Sequence, residues 1–112
     1  MQDISVYFRA LSDRKRLRIA EYLSHHEDVP VTQLGAELRL SQPLISWHLR
    51  VLRRAGIVRT KRTGRQVLCS LNRRSLMAYS RHIDELFGLD MPDGESTSER
   101  SARSLQAIRQ TQ

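Results

Sequence analysis

The sequence predicts a mainly α-helical α+β fold with one β-hairpin, and two observations lead to this class. Apolar residues recur at helical spacing in four segments before Gly56 and in one more after Leu71. Between these two residues the period changes, and two candidate strands, 57–62 and 66–71, flank the turn Thr63-Gly64-Arg65. A chain of 112 residues supports one small domain.

Two short helices joined by a tight turn are predicted between Val31 and Gly56. The hydroxyl of Ser41 is placed to cap the second helix, and Pro43 falls in its first turn, where the missing N–H group costs nothing. Gly56 suits the left-handed residue that ends a helix. Together these features indicate a helix-turn-helix. The apolar residues on the inner faces of the two helices are Leu34, Leu38, Ile45, Leu49 and Leu52.

The outer face of the second helix carries an amide, a hydroxyl, an indole and several guanidinium groups. Such groups hydrogen-bond the edges of bases, pack against sugars and bind phosphates, so this face is a candidate surface for nucleic acid. The alternative is a solvated helix with scattered charges. The residues on this face, at about 100° per residue, are Gln42, Pro43, Ser46, Trp47, Arg50, Arg53 and Arg54.

A helix-turn-helix followed at once by a hairpin is the order of elements in a winged helix. In that fold the hairpin, called the wing, extends along the DNA backbone or into the minor groove. Arg62 and Arg65 lie on the two shoulders of the predicted turn and would project from it. The alternative is an ordinary surface hairpin with solvated arginines.

Two predicted helices carry more apolar surface than a three-helix core would bury. One lies near the N-terminus, and the other runs from Arg73 to Phe87. A further helix, capped by Ser12 or Asp13, lies between the N-terminal helix and the helix-turn-helix. Packing against the same helices of a second subunit is the simplest use for this surface, so a dimer is predicted. The residues assigned to dimerisation are Ile4, Phe8, Leu11, Leu76, Tyr79, Ile83 and Leu86.

The charge distribution favours nucleic acid as the partner. The formal net charge is +7, and no acidic residue lies between Glu37 and Asp84, a segment that holds most of the arginines. Arginine suits phosphate because its guanidinium binds two oxygens at once. A membrane surface is disfavoured because the apolar helix faces match a core of neighbouring helices.

The single cysteine, Cys69, excludes an intramolecular disulfide and fits a reducing cytosol. Its alternation with Val67 and Leu71 suggests a small core side chain, while the nearby arginines leave a redox switch open. No stretch has the length of a signal peptide's apolar core or of a membrane span, so a cytoplasmic protein is expected. No constellation of an enzyme is found: the chain lacks a glycine-rich phosphate loop, a paired nucleophile and base, and paired carboxylates in an apolar setting.

Three blocks of the sequence resemble the ArsR/SmtB family of small bacterial winged-helix repressors. They are ALSDRKRLRIAEYL (10–23), VTQLGAELRLSQPLISWHLRVLRRAGIV (31–58) and RTGRQVLCSL (62–71). The resemblance implies a homodimer that binds an inverted repeat in a promoter and blocks transcription until a signal releases it. It places contacts with the DNA backbone at Arg50 and at the wing residues Arg62 and Arg65. The positions that it implies for base contacts are Ser41, Gln42, Leu44, Ser46, Trp47 and His48.

Two of these positions are unusual. Trp47 stands where the family commonly has a polar or basic residue, and an indole cannot hold a phosphate electrostatically. His48 lies at the border between the apolar and polar faces of its helix. It either packs and hydrogen-bonds locally or contacts a phosphate.

The resemblance also brings metal sensing into question, but the ligands of the family are missing. Its paired-cysteine site corresponds to Pro30 and Thr32 in this chain. His82 and Glu85 form a His-x-x-Glu pair that lacks its other half. No metal site and no cofactor are therefore expected, and the effector stays unknown. The positions of the family's last-helix zinc site hold Arg73, Ser75, Leu86 and Leu89, none of which binds zinc in that role.

The domain organisation follows from these patterns. Residues 1–87 are predicted to form the DNA-binding and dimerisation domain. Residues 88–112 are a polar tail, either mobile or forming one weak helix near its end. The predicted function is a sequence-specific DNA-binding transcriptional regulator, and the alternative is a basic winged-helix module that binds RNA or a protein partner.

Overall fold

The computed structural model describes residues 3–89, and this part of the chain has the predicted α+β winged-helix architecture. Its strands form one antiparallel sheet in the order β1-β3-β2. The predicted weak helix of the tail lies outside the described residues. In chain order the elements are α1 (Ile4–Leu11), α2 (Arg14–Ser24), β1 (Val29–Pro30), α3 (Val31–Leu38), α4 (Gln42–Arg54), β2 (Val58–Thr63), β3 (Gln66–Leu71) and α5 (Arg73–Leu86).

The chain divides into two compact units, 1–79 and 80–112. The described part of the first contains every element up to and including the first half of α5. The described part of the second, 80–89, contains the second half of α5 and the residues that follow it. Gly88, with a φ of +65°, has the left-handed conformation common after a helix.

Side-chain caps fix the beginnings of several helices, although α3 begins after Pro30 without one. The Asp3 carboxylate accepts a hydrogen bond from the Ser5 amide at 2.9 Å. Asp13, not Ser12, caps α2, where its carboxylate accepts from the amides of Lys15 and Arg16. As predicted, the Ser41 hydroxyl accepts from the Leu44 amide at 3.4 Å and begins α4. Each cap pairs amides that a helix start leaves unpaired.

Two left-handed residues set the ends of α3 and α4. Arg39 (φ 57°) ends α3, and the Leu40 amide donates to the Gly35 carbonyl at 2.9 Å. Gly35 lies where α3 meets α4, since a Cβ atom there would be 3.2 Å from the Leu40 carbonyl oxygen. Gly56 (φ 76°) ends α4, and the Ile57 amide donates back to the carbonyl of Leu52 at 2.9 Å. This bond defines a Schellman motif and directs the chain into β2.

The core lies between the inner face of α4 and the elements that surround it. Helix α4 packs against α1, α2, α3 and β2. The Cys69 thiol belongs to this core: it is fully buried and donates to the Val29 carbonyl at 3.2 Å. Burial raises its pKa to about 11, so the thiol stays protonated and the core role holds. The fully buried large side chains are Ile19, Leu23, Leu34, Ile45, Leu52, Ile57, Val58 and Cys69.

Tyr79 does not lie where the sequence analysis placed it. The side chain was assigned to a dimer interface, but it is 2% exposed within a single chain. Its ring stacks on Tyr7 with centroids 4.2 Å apart, and its hydroxyl donates to the Ala55 carbonyl at 2.9 Å. The periodicity of α5 placed Tyr79 on an apolar face correctly, but a neighbour in the same chain covers that position.

The sheet differs from the prediction in two details. The loop of the hairpin has two residues, because Thr63 pairs with Gln66 and leaves only Gly64 and Arg65 between the strands. Gly64 has a φ of +62° at the first position of this turn, as a type II′ hairpin turn requires. The short strand β1 was not predicted, since two residues that include Pro30 give no periodic signal. It pairs with the inner part of β3, where Val29 lies opposite Cys69.

We expect Gly56→Ala to lower the free energy of unfolding by about 1–2 kcal/mol, because an L side chain is strained at positive φ. The new Cβ would also lie 3.0 Å from the Ser75 hydroxyl. Gly56→Asn is the control, since asparagine tolerates the left-handed region better. Equal losses for the two variants in urea unfolding would contradict the backbone explanation and leave the Ser75 contact as the cause.

Candidate nucleic-acid interface

A cleft of about 360 Å³ opens between α4 and the hairpin. We call it the wing cleft. Its floor is apolar and includes Leu49 and Val67, and its walls are polar or cationic. None of the described residues that line it is an aspartate or a glutamate, so its guanidinium groups have no carboxylate beside them in the cleft. The polar walls include Gln42, Ser46, Arg50, Arg53, Arg65 and Gln66.

The geometry of α4 explains how these side chains come together. Gln42, Ser46, Arg50 and Arg53 are spaced by four, four and three residues, so they form one stripe along the helix. All four are exposed, whereas the neighbouring Leu49 is buried. The Schellman turn then returns the chain along α4 as β2, and this places the hairpin beside the stripe.

Arg53 links the helix to the wing. Its guanidinium donates to the Thr60 hydroxyl on β2 at 3.4 Å. The sequence analysis placed Arg53 on the polar face but did not assign it to the site, and it did not single out Thr60 or Gln66. For Arg53 a sequence signal existed, because it follows Arg50 by three residues and therefore lies on the same side of the helix. For Thr60 and Gln66 no sequence signal existed, because only the folded hairpin brings them to the helix.

The other predicted residues occupy different surroundings. Arg62 is exposed on the wing but does not line the cleft. Leu44 is half-buried, and the Ser41 hydroxyl already serves as the cap of α4. Trp47 is 51% exposed and does not line the cleft. The structure therefore brings together Gln42, Ser46, Arg50 and Arg65, four of the nine predicted residues.

His48 is not on this surface, which corrects its assignment as a DNA contact. It is 5% exposed, and its Nδ1 atom lies 3.2 Å from the Arg16 guanidinium of α2. A guanidinium only donates, so Nδ1 accepts and the ring proton lies on Nε2. Within the described part of the chain, that buried Nε2 has no hydrogen-bond partner. Of the two roles left open by the sequence, the structure shows local packing.

The Arg16 side chain that holds His48 is itself held by α1. Its Nε donates to the Ala10 carbonyl at 2.6 Å. A chain of contacts therefore runs from the end of α1 through Arg16 to the middle of α4. Because Arg16 is bound to both α1 and α4, these contacts help to set the orientation of α4.

The positions corresponding to the family's metal ligands have other contacts. Pro30 and Thr32 line the wing cleft. The guanidinium of Arg73 donates to the Ser24 carbonyl at 2.9 Å and lies 4.0 Å from the Glu27 carboxylate. Across residues 3–89 no three side chains of His, Cys, Asp or Glu lie together as a possible metal site. No helix within this range has the length and apolar character needed to span a bilayer.

Comparison with known proteins identifies the family. The sequence profile described as "Bacterial regulatory protein, arsR family" matches residues 13–60, which hold α2, the helix-turn-helix and the start of β2. The transcriptional activator HlyU of Vibrio cholerae is 32% identical over 82 residues, which are 73% of this chain and 75% of HlyU. The chain belongs to the arsR family of bacterial regulatory proteins. The resemblance noted in the sequence is confirmed.

A second relative and a solved structure are also similar to this arsR-family protein. The transcriptional repressor SmtB homolog of Synechocystis sp. is 34% identical over 82 residues, which are 73% of this chain but only 61% of that relative. The chain thus spans less than two thirds of that protein. An ArsR-like regulator from Rhodococcus sp. RHA1 superposes with a TM-score of 0.69, covering 96% of this chain and 91% of its own at 24% identity. This last match shows the common fold.

We expect the stability of the protein to fall as the pH drops below about 6.5, the usual pKa of histidine. Burial is the main cause that lowers the pKa of His48; Asp13 opposes this effect, and Arg16 and Lys15 add to it. A histidine with a lowered folded pKa stabilises the fold fully above its unfolded pKa, and this contribution is lost as the pH falls through the folded pKa.

The measurement is the free energy of unfolding in urea at several pH values between about 8 and 5. His48→Leu should give a flatter curve over this range than the wild type. His25→Gln, a substitution of an exposed histidine outside the core, is the matched control. A wild-type slope retained in His48→Leu would contradict this assignment.

Proposed function

We propose that this protein is a sequence-specific DNA-binding transcriptional regulator, most simply a homodimeric repressor that binds an inverted repeat in a promoter. One observation carries the proposal: the exposed stripe of α4 and the wing meet in a cleft with Arg50, Arg53 and Arg65 on its walls and no carboxylate among its described lining residues. Like charges gathered without counter-ions lower stability, so an anionic ligand is the physical reason to keep them.

A nucleic-acid backbone is the anion that fits this shape. The cationic surface is extended, since it continues from the cleft along the exposed wing to Arg62 and back along α4. A helix with exposed polar side chains fits the major groove, and a projecting hairpin beside it meets the adjacent backbone. Gln42 and Ser46 are the base contacts in this arrangement, and Arg50, Arg53 and Arg65 hold phosphates.

Dimerisation is proposed on the exposed apolar side chains. Phe8 on α1 is 46% exposed even though it meets Tyr7 edge-on. In the second unit, Leu86 and Phe87 at the end of α5 are also exposed. A second copy would cover such side chains, and a two-fold dimer presents two α4 helices to two half-sites. We assign DNA binding and dimerisation to residues 1–87 and place the protein in the cytoplasm, where bacterial DNA lies.

The direction of regulation is proposed from the family and from the site. The SmtB homolog is named a repressor, whereas HlyU is named an activator. A bound dimer that covers a promoter blocks polymerase without further contacts, so repression needs the fewest additional features. A reporter gene behind the bound promoter decides: deletion of the regulator raises expression for a repressor and lowers it for an activator.

We expect fluorescence anisotropy to show tighter binding to the protein's own upstream DNA than to a scrambled duplex, with affinity that falls steeply as salt rises. Arg50→Ala and Arg65→Ala should weaken binding to both duplexes and reduce the salt slope by about one phosphate contact each. Arg74→Ala is the control, since Arg74 is exposed on α5 and lies outside the cleft. Equal weak binding to both duplexes would argue against this promoter, and preference for structured RNA would contradict the proposal.

Gln42→Ala tests base recognition separately from backbone contact. The Gln42 side chain is exposed at the first turn of α4, where an amide can bind a base edge. We expect its removal to reduce the ratio of operator to scrambled affinity, with little change in binding to the scrambled duplex. Equal losses on the two duplexes would show that Gln42 contacts the backbone.

Phe8→Glu tests the proposed dimer. A charged side chain in an apolar interface is costly, so the variant should be a monomer in sedimentation equilibrium at concentrations where the wild type is a dimer. Leu17→Glu is the matched control: Leu17 is an apolar residue of similar exposure, 49% exposed on α2, and was not assigned to the interface. A Phe8→Glu variant that stays dimeric would contradict the use of α1 in dimerisation.

A further inference from the structure

Trp47 is a large apolar side chain on a helix face that is mostly polar and cationic. It is half-exposed in the middle of α4, and it lines no part of the wing cleft. Pro43 lies one helical turn earlier and is also exposed, so the two residues form an apolar strip beside the polar stripe. Beside the hydrogen-bonding groups that line the wing cleft, α4 thus exposes two apolar side chains that lie outside the cleft.

The folded core does not account for Trp47. The inner face of α4 is filled by Ile45, Leu49 and Leu52, and the tryptophan projects from the opposite side. Among the described residues, Trp47 belongs to none of the aromatic ring pairs. An exposed indole leaves apolar surface in water, and a ligand that covers it gains that burial.

We propose that Trp47 recognises thymine through its C5-methyl group and so makes thymine the preferred base at one position of each half-site. The inference rests on the proposed DNA-binding function. In the major groove the thymine methyl is the one apolar group that a base pair presents. An indole over the amino group of cytosine or adenine would leave that donor unpaired, which disfavours those bases.

The position of Trp47 supports this role over backbone contact. Trp47 follows Ser46 directly and lies three residues before Arg50. When Ser46 and Arg50 contact the duplex, the indole between them lies at the groove. An indole carries no charge and has a single N–H donor, so it adds little to the binding of phosphates. Gln42 and Ser46 would then recognise hydrogen-bonding bases, and Trp47 would recognise the neighbouring methyl group.

The test begins with selection of duplexes from a randomised library by the wild-type protein. Each thymine of the selected site is then replaced, one at a time, by uracil, which lacks only the methyl group. We expect one uracil position in each half-site to weaken wild-type binding about fourfold, the effect of burying one such group. The Trp47→Ala variant should bind the thymine and uracil duplexes equally. Because Trp47 is the single tryptophan of the chain, its fluorescence should also change when the selected duplex binds.

Controls separate this inference from the function on which it rests. Leu17→Ala, on an exposed position of α2, should keep the full preference for thymine over uracil. Trp47→Ala should stay folded at the temperature of the binding assay, since the side chain is half-exposed and lies outside the buried core. A selected sequence that tolerates uracil at every position would overturn the role of Trp47 and leave the proposed function intact. Failure to select any sequence would overturn both.

Discussion

The packing of the inner face of α4 is the constraint on which the rest of the structure depends. Ile45 and Leu52 are fully buried, and Leu49 is nearly so. These side chains fix the rotation of the helix about its own axis, because turning it by one residue would move an apolar side chain into water. The outer face, with its amide, hydroxyl, indole and guanidinium groups, is thereby held in one direction. A surface that must match a groove needs this rigidity, and the core supplies it.

The ending of α4 matters as much as its packing. The left-handed Gly56 and the bond from the Ile57 amide to the Leu52 carbonyl turn the chain back along the helix. Strand β2 therefore begins beside α4, and Arg53 can reach Thr60 on that strand. The wing cleft is the product of this turn. Its concentration of positive charge is unfavourable within the free protein and favourable when an anion is bound, so the same feature links stability to binding.

His48 shows a second constraint on α4. A polar ring on the inner border of the helix is buried against Arg16, which is itself bound to the Ala10 carbonyl. Such a contact is directional, unlike the packing of leucines, and it couples the orientation of α4 to the end of α1. Since α1 is also the helix proposed for dimerisation, the spacing of two half-sites in such a dimer would depend on the same small core that orients each α4.

The sequence by itself determined the local features of this protein. The caps at Asp13 and Ser41, the left-handed Gly56, the hairpin around Gly64 and the apolar stripe of α4 all depend on residues close together in the chain. Tertiary structure alone decided that His48 and Tyr79 are buried, that Val29 and Pro30 form a strand, and that Thr60 and Gln66 line the cleft beside α4. The physical reason is that periodicity gives the angle of a side chain about its helix axis, whereas the residues that cover it come from distant segments.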